Sequence, residues 1–441
     1  MSGWDESRAA YLDFIAKLDQ TFTPFAPVEL PDFFVGRQKE VNSLIRELSA
    51  PGRQVAIYGD RGVGKTSLAL LCWYFAKRSE EATYFVRCTK DSTYQSVFSE
   101  VLRRAAVTHL PAARETARTK RAGIQARGIS LGGSRVERMT ERAINGAYEV
   151  SPGLLLDVFK DTNGLIVLDE FDRVEDDETH VKVAESLKHF SDSRSTTKFL
   201  IVGVAETLSQ LLRKHESLTR CVAEIKLDRM FEDELKDILE TGCQRLGIRF
   251  DPDVAQKIVR LSDGYAHYTH LLARYATLAA VDESGVSEGE LVIGQGAYLT
   301  GLRDAIENAE QRLRETYEKA IIPLKGKTQL FQYAVWAVAM AEDVEVHIAS
   351  IAEHISQISG ETAKPQGCIY HLGKLVSEDR GQILVRVREG YYKFSDPLMR
   401  AYVRLQLEAY NIVERRGQME FAFMKAGRAA SPRGWAPPRE V

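Results

Sequence analysis

Cysteine is scarce in this chain, with five residues in 441, at Cys72, Cys88, Cys221, Cys243 and Cys368. None forms a CxxC pair or a metal-like spacing, which argues against a disulfide framework and for reduced thiols in a cytosolic protein. Long apolar runs are missing as well. No uncharged stretch reaches the roughly 18 residues that a membrane span requires. The opening segment, MSGWDESRAAYLDFIAKLDQ, breaks its apolar residues with acids and is not expected to act as a signal peptide. Net charge is small: 59 Lys and Arg against 62 Asp and Glu leave −3, with a sequence pI near 6.4. Binding to polyanions through bulk charge is thereby excluded, and any nucleic-acid surface must be a local patch. No internal repeat is visible. These absences lead to the expectation of a soluble cytoplasmic protein without a membrane partner. What remains is ordinary globular material, 44% hydrophobic and 27% charged, long enough for two or three domains.

Segments of different periodicity divide the chain. Residues 1–30 read as an amphipathic helix, at about 5–19, and an extended proline-bearing stretch. Apolar strands then alternate with helices: RQVAIYG, GKTSLALLCWYFAKR, TYFVRCT, YQSVFSEVLRRAAVTHL, GLIVLDE, HVKVAESLKHFS, KFLIVGVA, TLSQLLRKH and AEIKL. Strands that are apolar throughout and separated by helices predict an α/β fold with a parallel sheet covered on both faces, over 31–228. The interval 111–150 interrupts this rhythm and is too long and polar for one connection. Its stretch 111–146 carries Arg114, Arg118, Lys120, Arg121, Arg127, Arg135, Arg138 and Arg142 against Glu115, Glu137 and Glu141, and the interval reads as a basic insertion. From 229 to 323 the pattern becomes all-helical, ending in one long helix, LRDAIENAEQRLRETYEKAI. Residues 324–410 give three helices and a strand pair turning at Glu389–Gly390, the order of a winged helix, before a closing helix. Residues 411–441 end in GRAASPRGWAPPREV, whose Gly, Pro and Arg predict disorder.

The densest chemical signal lies at 59–66. Gly59, Asp60, Arg61, Gly62, Val63, Gly64, Lys65 and Thr66 satisfy GxxxxGK[ST] between a buried strand and a helix. Glycines let backbone N–H groups curl around phosphates, and the helix N-terminus adds a favourable dipole. Lys65 would neutralise the β- and γ-phosphates of ATP, Thr66 would offer a hydroxyl to Mg²⁺, and Ser67 continues the motif. The partner is LIVLDEFD, whose four apolar residues deliver Asp169 and Glu170 to the C-terminal end of a strand, where ligands of open α/β sheets bind. Asp169 suits the Mg²⁺ shell. Glu170 suits the general base that activates water, and a second carboxylate argues for hydrolysis over mere sensing.

With these motifs, residues 31–323 resemble an AAA+ ATPase of the branch containing origin-recognition and replication-initiator ATPases, with signal-transducing STAND ATPases as near relatives. The resemblance also rests on FFVGRQKEVNSL, at 33–44. It implies that Val35, Gly36 and Arg37 line the base pocket. It implies further that Arg220, before the fifth strand, reaches the γ-phosphate of a neighbouring subunit, and so a homo-oligomer. In DGYAHY, His267 stands where initiators carry a sensor arginine, and is either a nucleotide sensor or a polar helix residue. The fourth strand departs from the family: Gly203 and Ala205 stand where a polar residue is common, and only Glu206 or Thr207 could substitute. Slow, regulated hydrolysis is therefore expected.

Two outputs remain open from sequence. The basic insertion, or the winged helix through Gln366, Tyr370, His371, Lys374, Arg386, Arg388 and Lys393, could follow duplex DNA. Alternatively, as in STAND switches, the winged helix is a clamp or a contact for an effector protein. Replication, transposition and anti-phage defence all fit such a switch.

Overall fold

The computed structural model describes residues 3–28, 31–78, 82–108, 149–159, 162–212, 218, 220–285, 291–323 and 329–409. The chain divides into two compact units, Phe25–Met230 and Met1–Pro24 with Phe231–Val441.

In the first unit, β1 (Gln54–Gly59), β2 (Ala82–Arg87), β3 (Gly164–Asp169), β4 (Thr197–Val204) and β5 (Val222–Leu227) form a parallel sheet in the order β2-β3-β4-β1-β5. β1 and β3 are buried along their whole length. Their unbroken apolar runs belong to strands with helices on both faces, as the sequence predicted. One face packs through Phe98, Phe190 and Phe199, with Phe199 5.0 Å from Phe190 and 6.1 Å from Phe98. The helix α3 (Lys65–Arg78) leaves β1 through the glycine loop, and α6 (Asp177–Asp192) follows β3. Asp176 caps α6 by accepting from Thr179 N at 3.0 Å. The other helices of this unit are α2 (Gln38–Ser49), α4 (Tyr94–Thr108), α5 (Pro152–Phe159) and a short α7 (Leu208–Leu211). Most of the basic insertion, residues 111–148, lies outside the described residues, and so do 213–215 of the helix expected after β4.

In the second unit, α1 (Gly3–Thr21) packs on α8 (Glu232–Leu246) and α10 (Ala266–Ser284), and the set is completed by α9 (Pro252–Leu261), α11 (Gln295–Glu307) and α12 (Gln311–Ile321). Phe22, fully buried, occupies the space a side chain at position 242 would need: a Cβ added to Gly242 would lie 2.3 Å from the ring. Two expectations are corrected here. The segment after 229 is not all-helical, because β6 (Ile248–Phe250) and β7 (Leu291–Ile293) pair in parallel. Three-residue strands are too short for an alternating pattern to show. The long helix over 302–321 is broken at Asn308–Glu310. Asn308 donates to Asp304 O at 2.9 Å and Arg314 donates to Glu307 O at 3.0 Å, so side chains satisfy terminal carbonyls of α11 and let it end.

The C-terminal part contains α13 (Leu330–Met340), β8 (Val346–His347), α14 (Ile348–Ser359), α15 (Pro365–Leu375), β9 (Leu384–Arg388), β10 (Tyr391–Phe394) and α16 (Pro397–Ala409). The strands form an antiparallel sheet in the order β8-β10-β9, one strand more than the expected ribbon. Gly390 supplies the positive φ of 74° at the turn. Among the described residues no helix is long and apolar enough to cross a membrane.

Candidate active site

β1 ends in a position that only glycine can fill. Gly59 has φ 145°, and a Cβ there would sit 2.2 Å from Leu227 O of β5. Gly62 and Gly64, at φ 81° and 97°, take the left-handed conformations that curl the loop back before α3 starts. The first N–H groups of α3 have no carbonyl ahead of them within the helix and face the loop as donors.

Lys65 is buried, and its ammonium donates to Gly59 O at 3.1 Å and Asp60 O at 2.6 Å. No carboxylate forms an ion pair with it among the described residues. Burial pushes the ammonium down to about 8, against a pull upward from Asp172, Asp60 and Asp169. A buried cation held only by carbonyls is ready for an anion.

Thr66 Oγ1 donates to Asp169 Oδ1 at 3.2 Å, so the two predicted Mg²⁺ residues meet across 103 positions of sequence. Asp169 is almost fully buried, its Oδ2 has no hydrogen-bond partner, and burial raises its carboxyl despite the bond from Thr66. An orphaned carboxylate oxygen beside a hydroxyl fits a hard cation that takes oxygen ligands.

Glu170 follows in the left-handed region, at φ 56°, and is half-exposed. Its Oε2 accepts from Arg173 Nη1 at 2.6 Å.

The remaining expected residues separate. Arg37, at φ 59° and buried, donates to Val63 O at 3.2 Å, to Glu40 at 3.3 Å and to Asp228 O. Its terminal nitrogens tie the segment that carries Val35 and Gly36 to the glycine loop and the residue after β5. Ser67 Oγ accepts from Val28 N at 3.1 Å, which gives that hydroxyl to the incoming chain. Val63 is buried beneath the loop and Arg61 is exposed on it. Thr207 accepts from Gln210 N at 3.2 Å as the cap of α7, and Glu206 N donates to Gln210 Oε1 at 2.8 Å.

Arg220 is exposed just before β5. The register pairs Gln54 with Val222 and Gly59 with Leu227, so Arg220 lies at the opposite end of the sheet from Lys65. It does not belong to this chain's own site. His267 lies in the other unit, where its Nδ1 is 2.9 Å from Pro24 O and its ring packs edge-on to Tyr268. Arg114, Arg118, Lys120, Arg121, Arg127, Arg135 and Arg138 lie outside the described residues. On the C-terminal part, Arg388 stacks on Tyr391 at 3.9 Å and Lys374 pairs with Asp379 at 3.4 Å.

One residue at the site escaped the sequence reading. Asp172 Oδ1 accepts from Val204 N at 2.8 Å, tying the turn after β3 to the end of β4. The LDEFD spelling was the signal available, since Asp172 stands two positions beyond Glu170.

A comparison with protein families matches residues 34–202 to the AAA ATPase domain. No curated protein matches the chain by sequence. Among solved structures, the chain is similar to a Walker-type ATPase of Pyrococcus abyssi, at 15% identity over 86% of this chain and 99% of that one, with a TM-score of 0.47. It is also similar to the Aeropyrum pernix ORC1 protein in complex with DNA, at 18% identity over 87% and 96% of the two chains, TM-score 0.42. The RuvB Holliday junction branch migration motor of Thermotoga maritima matches at 13% identity over 84% and 96%, TM-score 0.42.

Proposed function

We propose, from the premise that residues 34–202 are an AAA ATPase domain, that this protein is a slowly hydrolysing, Mg²⁺-dependent ATPase that works as an oligomerising switch. The observation that carries the reading is the convergence of Lys65, Thr66 and Asp169, with an unsatisfied carboxylate oxygen and a cation held only by carbonyls. Lys65 and the loop N–H groups neutralise and orient the phosphates of ATP. Thr66 and Asp169 would hold Mg²⁺, which offsets charge on the β- and γ-phosphates. Glu170 takes the proton of the attacking water. The water oxygen bonds to the terminal phosphorus as the bond to ADP breaks, and its electron pair stays with ADP.

Slow turnover follows from the end of β4. Gly203 and Ala205 offer no polar side chain, and Thr207 is spent on a helix cap. Arg220, remote from its own chain's site, serves the site of a neighbouring copy. The proposed organisation is a nucleotide-binding core over 31–228, a helical lid over 229–323 and a winged helix over 324–410, in a cytoplasmic protein. The assembly engages duplex DNA through the basic insertion. A second reading has its own support: α15 exposes Ile369 and Tyr370, apolar surface suited to an effector protein in a STAND-like switch.

Steady-state ATP hydrolysis, with and without duplex DNA at low salt and beside Glu170→Gln, tests both. Stimulation by DNA supports the first reading. Hydrolysis indifferent to DNA favours the second, and hydrolysis unchanged in Glu170→Gln refutes the assignment of the base.

A further inference from the structure

The turn Phe171–Arg173 that follows β3 is anchored at each position. Phe171 is buried, with the His180 ring 4.6 Å from its own, and His180 Nε2 lies 2.9 Å from Val174 O. Asp172 is held by Val204 N. Val174 N donates to Phe171 O at 3.2 Å and closes the turn. Arg173 therefore projects from a rigid support.

Both its backbone and its side chain hold Glu170. Arg173 N donates to Glu170 O at 3.0 Å, and Nη1 donates to Glu170 Oε2 at 2.6 Å. We propose that Arg173 is a positioning residue for hydrolysis: it latches the Glu170 carboxylate back onto its own turn and keeps the general base in reserve. This rests on the reading of Glu170 as that base. A carboxylate oxygen already accepting a charge-assisted bond from a guanidinium is a poorer acceptor for the proton of water. The carboxylate also makes no bond to Lys65 or Thr66, whose partners lie on the loop and on Asp169. Arg173 is exposed and Glu170 half-exposed, which limits the strength of the pair and lets binding at the site, or a neighbouring subunit, open it. A left-handed Glu170, disfavoured for a residue with a Cβ, is a conformation the anchored turn imposes.

Single-turnover and steady-state hydrolysis by the full chain test the latch in Arg173→Gln, Arg173→Lys and Glu170→Gln. The latch predicts that Arg173→Gln raises kcat by up to about fivefold, the scale of an exposed ion pair, with KM for ATP unchanged. Arg173→Lys, which keeps the charge, should restore most of the restraint. The increase should vanish in the Glu170→Gln, Arg173→Gln double variant. A kcat for Arg173→Gln that is unchanged or lower overturns the latch, and so does an effect confined to KM. If Glu170→Gln alone hydrolyses normally, the reading of the base has failed. If Glu170→Gln is inactive and Arg173→Gln matches wild type, only the latch has failed. The exposed pair makes no demand on folding, and circular dichroism of Arg173→Gln checks that its fold is kept.

Discussion

Two clusters of buried charge in this molecule are built to different rules. In the helical unit Asp263, between α9 and α10, is paired with Arg404 at 2.8 Å and faces Arg400 at 3.9 Å. Arg404 also donates to Ala339 O at 2.8 Å and Ala341 O at 3.1 Å, and Arg400 to Glu342 O at 2.7 Å. Each charge meets its opposite, and carbonyls at the end of α13 accept from both guanidinium groups. At the glycine loop, among the described residues, Lys65 has carbonyls but no carboxylate, and Asp169 keeps an oxygen without a partner. The first arrangement closes a network and holds segments together. The second leaves charge uncompensated, and in a native structure such a cost is sustained where a ligand completes the set.

Substitutions can break that contrast. The largest effect falls on turnover: Glu170→Gln should lower kcat by a factor of roughly 10² to 10⁴, the usual contribution of a general base, without a loss of thermal stability. Lys65→Ala should abolish ATP binding in calorimetry while Tm stays level or rises, because it removes a buried ion that lacks a counterion. If Lys65→Ala destabilises as much as a change at Asp263, the two clusters do not differ in kind.

Asp263→Ala should cost about 3–5 kcal/mol in urea denaturation, since it strands two guanidinium groups in the interior. A cost below about 1 kcal/mol would place Asp263 with ordinary surface pairs.

Acidity probes the helical unit next. His270 is buried and accepts from Thr23 N at 3.3 Å, and burial, with a smaller push from His267, lowers it from 6.5 to about 4. The folded state binds this proton less readily than the unfolded chain. Its stabilising contribution is therefore complete above pH 6.5 and is lost as pH falls toward 4. At about 1.36 kcal/mol per pH unit the loss is on the order of 3 kcal/mol. Denaturation at several pH values should show this slope, and His270→Gln should flatten it.

The smallest change is Ser67→Ala, which removes the acceptor for Val28 N. It should cost about 1 kcal/mol of stability, read as a small fall in Tm.

Legibility differed by element. The all-apolar runs of β1 and β3 and the glycine loop could be read because strand burial and loop geometry are written in adjacent residues. The two-residue β8 and the three-residue β6 and β7 could not, since so few residues carry no period. Arg37 was named from resemblance as a base-pocket residue, and nothing in its own segment announced that its guanidinium would donate to Val63 O and Asp228 O. Ser67 was named as the continuation of the phosphate motif, and nothing in that motif announced that its hydroxyl would accept from Val28 N. Both residues stand where the motif puts them. Two of their partners, Asp228 and Val28, come from chain segments that the motif does not contain.

The sequence by itself determined the Gly59–Thr66 loop between a buried strand and a helix, and the delivery of Asp169 and Glu170 to a strand end. Those features follow from local glycine conformations and from hydrophobic patterning over six or seven residues. Only the tertiary structure decided which side chains meet. It brought Thr66 to Asp169 across 103 positions, Asp172 to Val204 across 32, and Asp263 to Arg404 across 141. A hydrogen bond is directional over about 3 Å, and no periodicity in one segment specifies the partner that another brings within that reach.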